Sequence, residues 1–212
     1  NYWPRKYLID VNGKIRYDHI GEGGYEETEM MIQKLLLERI DGLKFNGTAA
    51  SKILEQTPAN RGQTPETYAG YGFARGLLGN EEGFKPDEIV DYVLPGKIPI
   101  GAIALEGKWK NNYGNLLHIG NGTGKIAYKF KAAKVFLVTE GKSSATILLN
   151  GKYLDNGNRG EDVRIGKEGE SIVEFSEPRM YSLVGGDLEF SENLLEIEKL
   201  EDGFAIYAFT FG

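Results

Sequence analysis

The feature that most limits what this chain can fold into is its second half, where short apolar runs follow one another with only turn residues between them. Runs at 102–110, 125–131, 134–139, 145–149, 171–176, 179–184, 193–200 and 204–211 are each bounded by Gly, Asn or Asp. A parallel pairing needs a crossover of a dozen or more residues, and these gaps are too short for one. Antiparallel pairing is therefore expected. Ile126, Tyr128 and Phe130 alternate with polar or small residues, and Leu195 and Ile197 alternate with Glu196 and Glu198. That period gives each strand one buried and one wet face, as in a sandwich. With 29 glycines against 7 prolines, tight turns are plentiful, and Asn150-Gly151 is a hairpin signal. Residues 98–212 are expected to form an antiparallel β-sandwich of jelly-roll type.

The first 42 residues obey a different rule. Residues 6–20 read as a hairpin, with Asn12-Gly13 as a type I′ turn between strands at 6–11 and 14–20. From Tyr25 the period becomes helical. Tyr25, Thr28, Met31, Ile32, Leu35, Leu36 and Ile40 share one face, and Glu26, Glu27 and Glu29 favour the positive end of the helix dipole. Asp41-Gly42 ends the helix. Met30 and Leu37 lie off the stripe, which points to a second contact side. One hairpin and one helix are too little to bury a core, so the chain is expected to begin inside a fold whose first half lies elsewhere. Residues 43–97 are the least regular. They read as a connector with a short helix at 49–56, a polar loop at 57–65 and an exposed acidic stretch at 80–91. The overall class is α+β.

Composition removes several functions. A net charge of −6 with scattered lysines argues against a nucleic-acid partner. The absence of cysteine excludes a disulfide framework, a thiolate metal site and a thiol nucleophile within these residues. No apolar run reaches the ~18 residues of a membrane span. His19 and His118 have no G-x-S-x-G partner motif and read as structural. The loop from Asp155 to Asp162 fails the calcium-loop spacing, and Asn121-Gly122-Thr123-Gly124-Lys125 lacks the phosphate-loop pattern. No metal and no cofactor are expected. Trp109 and Tyr113, near predicted strand ends, are candidate rings for stacking on a sugar, and Arg179 and Tyr181 share a strand face that would line a shallow groove.

The segment from Tyr2-Trp3-Pro4 through Asp10-Val11-Asn12-Gly13-Lys14 to Gly21-Glu22-Gly23 resembles the C-terminal half of a thioredoxin-like domain of the TlpA-like, DipZ-like thiol–disulfide oxidoreductases. In that family a cis-proline loop leads into a hairpin with a D-x-x-G-K turn, then G-E-G and the last helix. Thr64-Pro65-Glu66-Thr67-Tyr68-Ala69-Gly70-Tyr71 is similar to the family's connecting motif. Residues 179–184 and 207–212 are similar to its closing strands. The resemblance implies that Pro4 is the cis-proline beside a Cys-x-x-Cys pair, and that Trp3 and Pro4 lie on the substrate face. It implies an extracytoplasmic protein, tethered by an upstream membrane segment, that acts on protein thiols and disulfides. It also implies a carbohydrate-binding-like jelly roll that engages substrate or glycan. The implied partner of the first unit is the other half of the thioredoxin-like domain, in the same or a separate chain. The departure is the missing cysteine pair: no catalytic residue lies in these 212 residues, and alone they should be inactive. The alternative is a non-catalytic binding or structural module that pairs with another chain through its incomplete first unit.

Overall fold

The structure, a computed structural model, describes residues 4–21, 23–47, 62–73, 78–120, 124–186, 188 and 190–212. Two compact units divide the chain, Asn1–Asn60 and Arg61–Gly212. The protein is β-rich, with antiparallel strand pairs and a single α-helix among the described residues.

In the first unit, β1 (Arg5–Ile9) pairs antiparallel with β2 (Ile15–Ile20), and α1 (Tyr25–Leu37) follows. The turn differs from the expected type I′. Asp10 and Lys14 close it, with the Asp10 N–H donating to the Lys14 carbonyl at 2.9 Å, and of the Asn12-Gly13 pair only Gly13 takes a positive φ. The cause is Asp10, whose carboxylate accepts the N–H groups of Asn12 and Lys14 at 2.9 and 3.0 Å. That side-chain turn outcompetes the two-residue loop. Alternation puts Lys6, Leu8, Tyr17 and His19 on the half-buried face. The Lys6 ammonium donates to the Gly23 carbonyl at 2.7 Å and lies over the Tyr25 ring. Arg16 reaches Glu38 at 2.9 Å, tying the hairpin to the helix end. The helix stops three residues before Ile40, where the Arg39 and Ile40 N–H groups share the Leu36 carbonyl at 3.1 and 2.9 Å in the closing turn. No described residue of this unit is buried. Tyr7, Ile9, Ile15 and Ile20 on the hairpin, and Met30 and Leu37 on the helix, are exposed.

The second unit holds β3 (Thr67–Tyr68), β4 (Ile89–Tyr92), β5 (Ile103–Asn111), β6 (Leu116–His118), β7 (Gly124–Lys131), β8 (Val135–Glu140), β9 (Ser143–Leu149) and β10 (Lys152–Tyr153). It continues with β11 (Val163–Ile165), β12 (Ser171–Phe175), β13 (Arg179–Val184), β14 (Glu192–Leu200) and β15 (Ala205–Phe211). The strands run β11-β12-β9-β14-β7-β5-β6-β15-β8-β13, with β10 on β9, β3 on β15 and β4 on β5. This continuous path folds over on itself through β5. Residues Ile103 to Glu106 pair with β7, whereas Gly107 to Asn111 pair with β4 and β6. The change of sheet falls at Gly107, whose φ of 88° is open to glycine and strained for other residues. A strap at 158–162 covers the outer edge of β13, with the Gly160 N–H donating to the Leu183 carbonyl at 3.0 Å. The result is a sandwich that is nearly closed.

One core fills it. Tyr128 stacks on Phe209 at 4.6 Å, and Phe175 sits 4.8 Å from both Tyr181 and Phe204. The alternation read from β14 is realised: Asn193, Leu195 and Ile197 point inward, and a bulge with Lys199 at φ 66° turns Leu200 inward as well. The described residues of 62–97 are mostly irregular but are tied to this unit's sheets through β3, β4 and a bridge from Leu78 to Ile103. Thr64 exchanges backbone and hydroxyl hydrogen bonds with Lys131, and Thr67 and Tyr68 pair with β15. Asn80, at the head of the stretch expected to be exposed, is buried. Its amide donates to the Val93 and Leu105 carbonyls at 2.9 and 2.8 Å, and its oxygen accepts the Leu105 N–H at 2.8 Å. The helix expected at 49–56 lies outside the described residues.

Candidate functional site

Pro4 precedes β1 and is half-buried, and its carbonyl accepts the Gly21 N–H at 2.8 Å. The end of the hairpin thus clamps its own entry. Trp3 lies outside the described residues. Next to Pro4, the Arg5 guanidinium is ion-paired with Asp18 across the hairpin, which holds the Asp18 carboxyl below the usual carboxylate range. The chemistry at this end is that of a positioned backbone with an ion pair beside it. With no cysteine in the chain, no thiolate is supplied here for disulfide exchange.

The four ligand-binding candidates of the second unit do not come together. Trp109 faces the core, with no exposed surface. Its indole N–H donates to the Glu106 carbonyl at 2.9 Å and its ring lies 5.0 Å from His118. The alternation of β5 sends Lys108 and Lys110 outward and the indole inward, the arrangement that removes the largest apolar surface from water. His118 is equally buried. Its Nδ1 donates to the Glu201 carbonyl at 2.9 Å and its Nε2 has no partner, the setting of a structural histidine.

Tyr181 is also wholly buried, which corrects its expected place in a groove. Its hydroxyl donates to the Glu177 carbonyl at 2.9 Å and accepts the N–H groups of Ser176 and Glu177. Burial by itself would raise its pKa, but those two amides and the nearby Arg179 leave it below the usual tyrosine value. Arg179 stacks 3.7 Å above that ring and is ion-paired with Asp162 at 2.7 Å. Both residues are thus spent on pinning the β12–β13 turn and the strap.

Tyr113 has a different environment. It occupies the β5–β6 turn, is 58% exposed, and meets Phe73 and Tyr71 nearly at right angles, with ring centroids 5.1 and 5.6 Å away. The Tyr71 hydroxyl donates to Asp87 at 3.1 Å; burial first, then that carboxylate, raises its pKa. Sequence reading missed Tyr71 and Phe73 as partners of Tyr113. The available signal was Gly70-Tyr71-Gly72-Phe73, in which glycines alternate with rings and leave the backbone bare for a neighbour. Elsewhere, residues 94–98 overhang the outer face of β7 and β14, enclosing a cleft of about 340 Å³. Of its charged groups, Lys129 and Glu196 are already paired with Glu192 and Lys125, while Lys97 stands on the overhanging segment. Among the described residues no group of His, Asp and Glu is arranged to hold a metal ion.

A family model described as a thioredoxin like C-terminal domain matches residues 64–212. Across 211 residues, 100% of this chain, the protein is 28% identical to Protein DipZ of Mycobacterium bovis (strain ATCC BAA-935 / AF2122/97) and to Protein DipZ of Mycobacterium tuberculosis (strain CDC 1551 / Oshkosh). The chain spans 27% of the length of each of these relatives. Among solved structures, the Podospora anserina GH26-CBM35 β-(1,4)-mannanase aligns with 70% of this chain and 27% of its own, at 13% identity and a TM-score of 0.33, a likeness too slight to bear on fold or function. With the family model covering the whole sandwich and the relatives aligning from the hairpin to the last strand, the protein belongs to the thioredoxin like C-terminal domain family and corresponds to the C-terminal part of a DipZ-like, TlpA-like protein.

Proposed function

We propose that this chain is the C-terminal portion of an extracytoplasmic thiol–disulfide oxidoreductase of the thioredoxin family. In this reading, residues 1–42 are the end of the thioredoxin-like domain and contribute the proline wall at Trp3 and Pro4. The cysteine pair comes from the other half of that domain. Residues 98–212 form the jelly-roll accessory module, joined by 43–97, and carry a surface for substrate or glycan.

The observation that supports this best is the first unit's exposed apolar faces. Tyr7 at 47%, Ile9 at 62%, Ile15 at 60% and Met30 at 55% exposure are large side chains on regular elements that the described residues of this unit do not bury. Such surface is costly to leave in water and supports a partner from outside these residues. Alignment of the entire chain with DipZ relatives of nearly four times its length agrees with a partner supplied by preceding sequence.

The deciding experiment measures insulin disulfide reduction with dithiothreitol as electron source. The 212-residue chain should be inactive. The same chain carrying the ~100 residues encoded before Asn1 should be active, and a Cys→Ser change in that added half should abolish turnover. An added half without a cysteine pair, or one with the pair but no activity, would sink the proposal in favour of a non-catalytic module.

A further inference from the structure

Eight large rings of the second unit are buried in its core, Trp109, Tyr128, Phe130, Phe204 and Phe209 among them. Phe73 and Tyr113, at 54% and 58% exposure, stand together in water. Folding does not explain that arrangement, because exposed rings contribute little to stability. Yet the rings are held firmly. The Gly72 N–H donates to the Tyr113 carbonyl at 2.9 Å and the Tyr71 N–H to the Asn112 carbonyl at 3.3 Å. Asn112 and Asn115 bond to each other through their side chains at 2.8 Å. A Cβ on residue 72 would overlap the Tyr113 ring, so glycine is what lets the ring lie against the backbone.

We propose that Tyr71, Phe73 and Tyr113, with Asp87 and Asn112, form a binding platform for a neutral pyranose of a polysaccharide. The proposal rests on the accessory-module reading above and names its site. A pyranose presents an apolar C–H face and a rim of hydroxyls. Tyr113 offers the flat ring, and Phe73 and Tyr71, perpendicular to it, wall two sides. Asp87 uses one carboxylate oxygen for Tyr71 and keeps the other for a sugar hydroxyl, and the Asn112 side-chain oxygen is a second acceptor. A carboxylate at the rim, on a chain of net charge −6, disfavours phosphorylated or acidic ligands. Three rings set nearly at right angles fall far short of the ~1,000 Å² that a stable protein interface buries. Because the loop bonds already fix the rings, a ligand meets a pre-ordered surface and little entropy is lost on binding.

The test is affinity electrophoresis and calorimetry of the full chain with three neutral probes: laminarin, galactomannan and the hexamer of N-acetylglucosamine. Saturable binding to at least one, unchanged between low and high salt, is expected. Tyr113→Ala should weaken it about tenfold, the worth of one aromatic contact. Phe73→Ala should weaken it as well, Tyr113→Phe should retain it, and Tyr153→Ala, at an exposed tyrosine on β10, should leave it unaltered. Circular dichroism and thermal midpoints identify any variant that has failed to fold, and Phe73→Ala then carries the test. Binding that survives both alanine substitutions overturns the platform and leaves the accessory-module reading standing. No binding to any probe by the folded chain, or binding that salt abolishes, overturns the neutral-glycan site itself. The disulfide-reduction assay judges the redox reading separately.

Discussion

Tyr128 shows how a single buried polar atom can set the alkaline limit of the fold. Its ring is fully buried, and its hydroxyl lies 2.6 Å from the Thr67 hydroxyl. Burial pushes its pKa up to about 12, against some opposition from the Thr67 hydrogen bond. A raised acid pKa means that the folded state keeps a proton which the unfolded state releases above pH 10. Stability from this group is therefore intact below pH 10 and falls as pH rises toward 12, by about 2–3 kcal/mol. Urea midpoints of Tyr128→Phe measured from pH 8 to 11.5 should show a shallower alkaline fall than the parent. The variant should also start about 1 kcal/mol lower at pH 8, because Thr67 loses a buried partner. Asn80 is the comparable case among amides. Its three hydrogen bonds join the 80–84 loop to residue 93 and to β5. Asn80→Ala strands two carbonyls and an N–H, and should cost about 2–4 kcal/mol in urea unfolding. An effect under 0.5 kcal/mol would mean that water replaces the side chain.

At the scale of elements, β5 and the β13 strap hold the sandwich closed. Gly107 lets β5 leave one sheet and enter the other. Gly107→Ala should destabilise the second unit by about 1–2 kcal/mol even though the position is half-exposed, since the cost is backbone strain. Denaturation by urea measures this directly. The strap depends on Asp162, which accepts from Arg179 at 2.7 Å and from the Ser182 N–H at 2.7 Å. The Arg179 guanidinium foremost, and the Ser182 amide against the opposing effect of burial, hold the Asp162 carboxyl below its ordinary value. For a depressed carboxylate the stabilisation is present above the unfolded pKa of 3.8 and is lost as pH falls below it through the folded value. Asp162→Asn should lower the thermal midpoint at pH 6 and bring parent and variant together near pH 2. Equal separation at both pH values would remove the charge from the explanation.

The whole molecule consists of two units with unequal means of staying folded. Arg61–Gly212 has a continuous core, whereas no described residue of the first unit is buried. Amide exchange should be fast across β1, β2 and α1 and slow in β7, β9 and β14, and limited proteolysis should trim the first unit while sparing the second. Slow exchange in the first unit of the isolated chain would contradict the partner argument. On the proposed reading, addition of the other half of a thioredoxin-like domain should protect those amides.

How much of this was legible follows from what each residue's environment depends on. Eight strands of the sandwich lie within two residues of their sequence-read limits, from β5 to β15, because alternation between core and water is written locally in runs such as Leu195-Glu196-Ile197. The hairpin was legible from its Asn12-Gly13 turn signal and the helix from its 3.6-residue period. The short strands β3, β4, β6, β10 and β11 were not, since two to four residues carry too little pattern and take strand geometry only from a partner. Asn80 read as exposed because a buried amide needs acceptors at residues 93 and 105, which sequence does not place beside it. Trp109 and Tyr113, four residues apart, looked alike in sequence and have opposite environments. Local chemistry by itself determined the periods, the antiparallel pairing, the lack of a thiol nucleophile and the family resemblance. Only the tertiary structure decided which rings enter the core and which gather at the surface, because burial depends on which distant strand arrives to cover a face.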